Sequence, residues 1–283
     1  MCIIIGASGQ VGSQLIHHLT KSGITAIAVA RDPDRIADKN IQVRKADLLD
    51  TGQVIETCRG ATTAFLITPE NPVTEDIMGD TRIILNNYRE AVEANHIRRV
   101  VLLSCVGAHV EGNTGNILLS RLLEDTFSDA DIEKVIIRPS YYYSNWLGYM
   151  ETAEQQGVLP TFFPEKLKIE MHSPHDLAAF VAGVMNSPSN QEKKQLYELA
   201  GPVKLSPADV ATAFSSLLKK EVTAQSIPPD QWKETLLSVG FTENTAVNLI
   251  DMTQAVIDGL AAPEFPEKVI RLTTTIGDYL KEV

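Results

Sequence analysis

Gly6, Gly9 and Gly12 recur at every third position of GASGQVG, directly behind the apolar run Cys2-Ile3-Ile4-Ile5. A strand that ends in close glycines and passes straight into a helix presents bare backbone N–H groups and the positive helix end to an anion. That chemistry suits the pyrophosphate of a dinucleotide, with Gly6, Ser8, Gly9, Gln10, Val11 and Gly12 as its candidate lining. About 20 residues beyond the glycines, where the ribose should be read, stands Ala30-Arg31-Asp32. A carboxylate there would hold a free ribose diol, whereas a guanidinium forms paired, charge-assisted bonds to a 2′-phosphate. Arg31 comes first, so NADP(H) is favoured over NAD(H). Asp32 has a second reading, as the cap of a short helix through Pro33 and Asp34. Asp47 is placed to cover the adenine edge or to form a turn, and the Thr68-Pro69 turn should pass near the nicotinamide ribose.

Positioning these residues requires an alternating α/β chain. Val11, Leu15, Ile16 and Leu19 have helical spacing over 10–22, Gly23 is a stop, and Ile24 to Ala30 reads as a buried strand. Further strands are read at 41–45, 64–68, 99–105 and 134–138, with helices at 53–59, 74–95 and 115–127 between them. The six strands predict a doubly wound parallel sheet of Rossmann type. Beyond Pro139 the pattern changes to the aromatic run Tyr141-Tyr142-Tyr143, then to helices at 175–185, 207–219, 230–239 and 243–260. The expected division is a dinucleotide-binding domain over 1–140 and a mostly helical substrate lobe over 141–283, with about 170–200 packing back on the sheet.

With 283 residues, 44% of them hydrophobic, the chain can bury a large core. Net charge is −11 and its basic pairs are scattered, which argues against direct nucleic-acid binding. Cys2, Cys58 and Cys105 have neither a paired framework nor metal-ligand spacing. No apolar stretch approaches the roughly 18 to 20 residues of a membrane span, and the apolar start lacks the basic flank of an export signal. The expectation is a cytoplasmic protein acting on a small molecule. His172 and His175 fit a turn and helix start, with Ser173 as cap and Pro174 in the first turn, better than a metal site.

The chain resembles the NmrA-like branch of the atypical short-chain dehydrogenase/reductases. GASGQVG, VARDP, KADLLD, VVLLSCVGA, IIRPSYYYSNW and YELAGPVKLSPADVA carry the likeness, most specifically in the N-terminal half. It implies a reductase of quinones, dyes or phenylpropanoid-type substrates, or a protein that binds the dinucleotide without turning it over and reports redox state to a partner. Conventional relatives use Tyr-x-x-x-Lys, and none of the seven tyrosines here has Lys four residues on. Many reductases of this branch carry a Lys near position 120, where this chain has Leu119-Ser120-Arg121. An arginine cannot exchange protons at neutral pH.

Hydride transfer survives without that acid, because positioning supplies much of the rate and another group can deliver the proton. Candidate donors are Tyr141, Tyr142, Tyr143, His109 and Ser104; each also has a plain reading, as stacking wall, exposed loop histidine or strand-end hydroxyl. Tyr142, Tyr143, Asn145 and Trp146, with Tyr141, Phe162 and Phe163, predict an aromatic, largely neutral substrate cleft. The favoured reading is an NADPH-dependent reductase of a conjugated or quinone-like molecule. A redox sensor with a protein partner is the alternative, a homo-oligomer is compatible with either, and a nucleotide-sugar epimerase or dehydratase ranks last.

Overall fold

Ile3 and Ile5 face one side of the first strand, Cys2 and Ile4 the other, and all four are buried, so this strand must lie inside a sheet covered on both faces. The computed structural model describes residues 1–283 apart from 37, 39, 40 and 189–191. Its N-terminal part runs β1 (Cys2–Ile5), α1 (Gln10–Lys21), β2 (Ala26–Ala30), β3 (Gln42–Lys45), α2 (Thr51–Thr57), β4 (Thr63–Ile67), α3 (Ile77–Ala94), β5 (Arg99–Leu103), α4 (Ile117–Thr126) and β6 (Glu133–Pro139). There follow β7 (Tyr141–Tyr142), α5 (Met150–Gln156), β8 (Val158–Thr161), β9 (Ile169–His172), α6 (Pro174–Asn186), β10 (Lys194–Ala200), β11 (Lys204–Leu205), α7 (Pro207–Leu218), β12 (Thr223–Ser226), α8 (Trp232–Ser238), α9 (Glu243–Ile257), β13 (Ile270–Arg271) and α10 (Ile276–Glu282).

Among the described residues, eight strands form one parallel sheet in the order β13-β10-β6-β5-β4-β1-β2-β3. The sequence predicts six; β10 and β13 extend the edge beyond β6. Lys194–Ala200 escapes notice because its burial rises gradually from an exposed Lys194 to a buried Ala200, without the continuous apolar run of the inner strands. Ile270–Arg271 is too short to show any period. Residues 170–200 contribute α6 and β10 to the sheet layer, with 189–191 outside the described residues.

Helices α1 and α6 cover one face of the sheet: Leu15, Ile16 and Leu19 meet Leu177, Val181 and the strand residues Ile4, Phe65 and Val101. Helices α2, α3 and α4 cover the other, through Val54, Tyr88, Leu123 and Phe127. A third core belongs to the C-terminal lobe and gathers Tyr143, Trp146, Phe163, Phe214 and Tyr279.

Caps set several boundaries. Asp76 accepts from the Gly79 amide, so α3 begins at Ile77 rather than Thr74. Asp50 accepts from the Gln53 amide and starts α2 at Thr51. Ser173 accepts from the His175 amide with Pro174 in the first turn, the start read from the sequence. Asp176 goes further, bonding the Thr273 and Thr274 amides and the Thr274 hydroxyl, and so ties the C-terminal segment to α6.

Candidate functional site

β1 pairs with β2 on one side and β4 on the other, so the chain leaves the sheet here in opposite directions. A crevice opens at such a switch point beyond the strand carboxyl ends. Gly6 closes β1 with φ +73, and a Cβ at Gly12 would lie 2.2 Å from the Gly6 carbonyl oxygen and 2.9 Å from Ala7 Cα. The turn therefore has room only for glycine, and the helix start is drawn onto the strand end. Gly9 caps α1 without a side chain, and among the described residues the amides of Gln10, Val11 and Gly12 have no hydrogen-bond acceptor. Ser8 stands half-exposed on the same loop. Gln10 turns its side chain toward the lobe, where Oε1 accepts from Ser144 at 2.5 Å. A cradle of unpaired amides bounded by glycines fits a diphosphate without any rearrangement of side chains.

At the end of β2, Asp32 Oδ1 accepts from the Asp34 amide and caps the short turn Pro33–Arg35. Asp32 is thus committed to the backbone. Arg31 is exposed and makes no hydrogen bond or ion pair among the described residues. Asp47 is exposed and engaged locally, its Oδ1 accepting from the Leu49 amide. Thr68 and Pro69 are half-buried where β4 ends, next to Ile67, whose side chain packs against Gly6.

Two polar groups stand beyond β4, β5 and β6 that the sequence reading did not single out. Glu70, directly after Pro69, accepts from Asn116 Nδ2 at 2.8 Å. Asn116 is 6% exposed at the start of α4, and its Oδ1 has no partner. Glu70 keeps contact with solvent on one side while protein crowds the other. That crowding raises its carboxyl pKa, and the Asn116 hydrogen bond only partly opposes the rise. Behind this pair, Arg138 on β6 makes a two-bond contact with Glu124, at 2.8 Å on both arms, and meets Glu264 at 2.6 Å. Ser104 is buried and donates to the same Glu124, at 2.5 Å, rather than to the backbone. Arg138 is buried, which works against its charge, but Glu124 and Glu264 outweigh that and keep it protonated.

Ser120, at the position where the resemblance leads one to look for Lys, is buried near Cys105. Burial pushes the Cys105 thiol up to about 12, so it is no nucleophile near neutrality. Arg121 points away, donating to the Val110 carbonyl and pairing with Glu111. His109 is half-buried rather than exposed, with its Nδ1 unpartnered.

The tyrosine triplet splits. Tyr143 is 1% exposed in the lobe core, packed against Tyr279, with its hydroxyl pushed up to about 12 by burial. Trp146 is equally buried, and Phe163 packs beside it. Tyr141 is half-buried, edge-on to Trp146 and Phe163, and bonded to the exposed Asn145. Phe162 meets the buried Trp232 edge-on. Tyr142 has a different neighbour: its ring meets His172 edge-on at 5.0 Å. Its hydroxyl has no hydrogen bond among the described residues, and burial raises its pKa.

His172 and His175 part company. His172 is fully buried with Nδ1 on the Ser140 hydroxyl at 3.0 Å, and burial lowers its pKa to about 3. His175 lies near the surface against Glu282. Among the described residues no three metal-ligating side chains come together, and no helix is long and apolar enough to cross a membrane.

This architecture recurs in known proteins. The chain is similar to the quinone oxidoreductase 2 of Escherichia coli, 25% identical over 89% of this chain and 86% of the relative. It is similar also to the NAD(P)H azoreductase of Xenophilus azovorans, 21% identical over 87% and 84%. The E. coli NADPH-dependent quinone oxidoreductase solved with NADPH superposes with a TM-score of 0.83 at 24% identity, over 100% of this chain and 99% of the other. The Citrobacter triphenylmethane reductase solved with NADP(H) gives 0.80 at 19% identity over 100% and 99%. A family model matches residues 1–279, and with a glycine-bounded crevice at the β1/β4 switch point, the chain belongs to the NmrA-like family.

Proposed function

We propose that the protein is an NADP(H)-dependent oxidoreductase that reduces a small conjugated or quinone-like molecule. One observation carries the reading: the uncapped, glycine-only cradle at the start of α1, with Gly12 seated on the Gly6 carbonyl and the free guanidinium of Arg31 one strand away. The amides of 10–12 would hold the diphosphate, with Gly6, Ser8 and Gly9 shaping the loop; Arg31 would take the 2′-phosphate. Asp32 is spent on its cap, which supports the phosphorylated cofactor over NAD(H). Thr68 and Pro69 border the nicotinamide side, and Asp47 the adenine side. When bound, the reduced nicotinamide supplies the hydride; the chain's own work is to orient the acceptor, exclude water and deliver a proton.

Relatives named as a quinone oxidoreductase, an azoreductase and a triphenylmethane reductase support a flat acceptor. Tyr142 and Asn145, at the mouth between sheet and lobe, would line its cleft. Arg31→Glu tests the cofactor assignment: NADPH affinity falls about 100-fold while NADH affinity stays within about threefold, as a charge-assisted pair to one phosphate requires. An equal fall for both in titration calorimetry would remove Arg31 from the site. Steady loss of the reduced cofactor's near-ultraviolet absorbance with a panel of quinones tests turnover. Tight NADPH binding with no acceptor reduced would leave the redox-sensor reading instead.

A further inference from the structure

We propose that Glu70 is the proton donor of this site, taking the place left by the missing lysine, with Asn116 as its positioning residue; the assignment rests on the reductase reading above. Three observations meet here. Glu70 stands just past the carboxyl end of β4, beside the switch point, and is exposed to solvent. Its carboxylate is held from behind by Asn116, a buried amide whose other end, Oδ1, has no partner. The amide thus offers a donor to the ionised carboxylate and, turned over, an acceptor to the protonated one. Either state of Glu70 has a partner.

The lobe fixes this contact from both sides. Helix α9 is capped by Thr242, which donates to the Thr74 carbonyl, and Thr245 donates to the Pro72 carbonyl, anchoring the segment that follows Glu70. One turn on, the Asn248 carbonyl accepts from the Asn116 backbone N–H, which anchors the residue that carries the side-chain amide. A single helix therefore sets the spacing of acid and amide.

Tyr142, the neighbouring candidate, shows why the carboxyl is the better donor. The same crowding that lifts a tyrosine hydroxyl further from neutrality lifts a carboxyl toward it, and an acid works best when its pKa lies near the working pH. In the step, a dihydronicotinamide hydride forms a bond to the acceptor while the Glu70 O–H bond breaks and its proton forms the new O–H of the product. The acceptor gains two electrons, the nicotinamide loses them, and solvent returns a proton to Glu70.

The test compares the full chain loaded with NADPH as wild type, Glu70→Gln and Tyr142→Phe, on two acceptors. A quinone needs hydride and proton; a triphenylmethane cation needs hydride only. Glu70→Gln should lower kcat for the quinone by about 100-fold, leave the dye rate within about threefold and keep NADPH affinity, whereas Tyr142→Phe, a change in the cleft wall, should shift both acceptors by the same factor. Equal losses of Glu70→Gln on both acceptors, a large fall in NADPH affinity, or a larger quinone loss in Tyr142→Phe would overturn the donor role alone. Wild-type failure on both acceptors would overturn the reductase reading and the assignment together. Independently of turnover, infrared titration should show a protonated-carboxyl band above the ordinary glutamate range that vanishes in Glu70→Gln; its absence overturns the proposal.

Discussion

Around Gly12 the walls of the crevice are backbone; around Arg138 they are charged side chains. The first region is contiguous, spanning Gly6 to Gly12, and its shape follows from the absence of side chains, since a single Cβ would meet the Gly6 carbonyl. The second draws Ser104, Glu124, Arg138, Glu198 and Glu264 from five separate segments, with Glu198 accepting from the Glu264 and Phe265 amides. Amides presented by a tight turn need no burial of charge. One guanidinium faces three carboxylates, so loss of Arg138 would leave Glu124, Glu198 and Glu264 without their shared cation. The glycine turn is therefore shaped by close backbone packing, the Arg138 cluster by charge pairing.

Removing the guanidinium strains the second region most. Arg138→Met leaves Glu124 and Glu198 buried without their cation and should cost about 3–5 kcal/mol of stability, read by urea denaturation. A cost near zero would mean that the carboxylates take up protons freely and that the network is not held by charge. Gly12→Ala probes the first region: overpacking costs about 1–3 kcal/mol, and NADPH affinity should fall about 100-fold as α1 is pushed off the strand end. Unchanged calorimetric affinity would place the diphosphate elsewhere.

The smallest effect concerns His172, which lies between the two regions beneath Tyr142. Its folded pKa of about 3 lies below the ordinary 6.5, so the folded state refuses a proton that the unfolded chain accepts. The stability this burial sustains is complete above about pH 6.5 and is lost as pH falls toward 3, by about 2 kcal/mol at pH 5. The stability advantage of wild type over His172→Gln should therefore shrink by that amount between pH 7 and pH 5. An advantage independent of pH would show that the imidazole titrates normally.

Legibility follows the same division. The turn at GASGQVG was readable because its shape depends on what neighbouring residues lack, and the alternating elements through β6 were readable because buried parallel strands are continuous apolar runs. The strand count was not. β10 carries Lys194, Gln195 and Glu198 and is recognisable only through its pairing with β6. The aromatic triplet shows the limit most clearly: three identical residues in a row received three environments, because a strand, a helical turn and a lobe core meet there. Glu70 sits one residue past a turn that was singled out, yet nothing adjacent in the chain marks it, since Asn116 is 46 positions away.

The order of residues alone determined the glycine turn, the parallel sheet and the absence of a Tyr-x-x-x-Lys pair, because each depends on local spacing and on backbone freedom within a few residues. Tertiary structure alone decided how deeply each tyrosine of the triplet is buried, that Arg138 gathers three carboxylates, and that the Glu70 carboxyl and the Asn116 amide meet across 46 positions of sequence. Side-chain protonation and partnership depend on solvent exclusion by surfaces that adjoin only once the lobe has packed against the sheet.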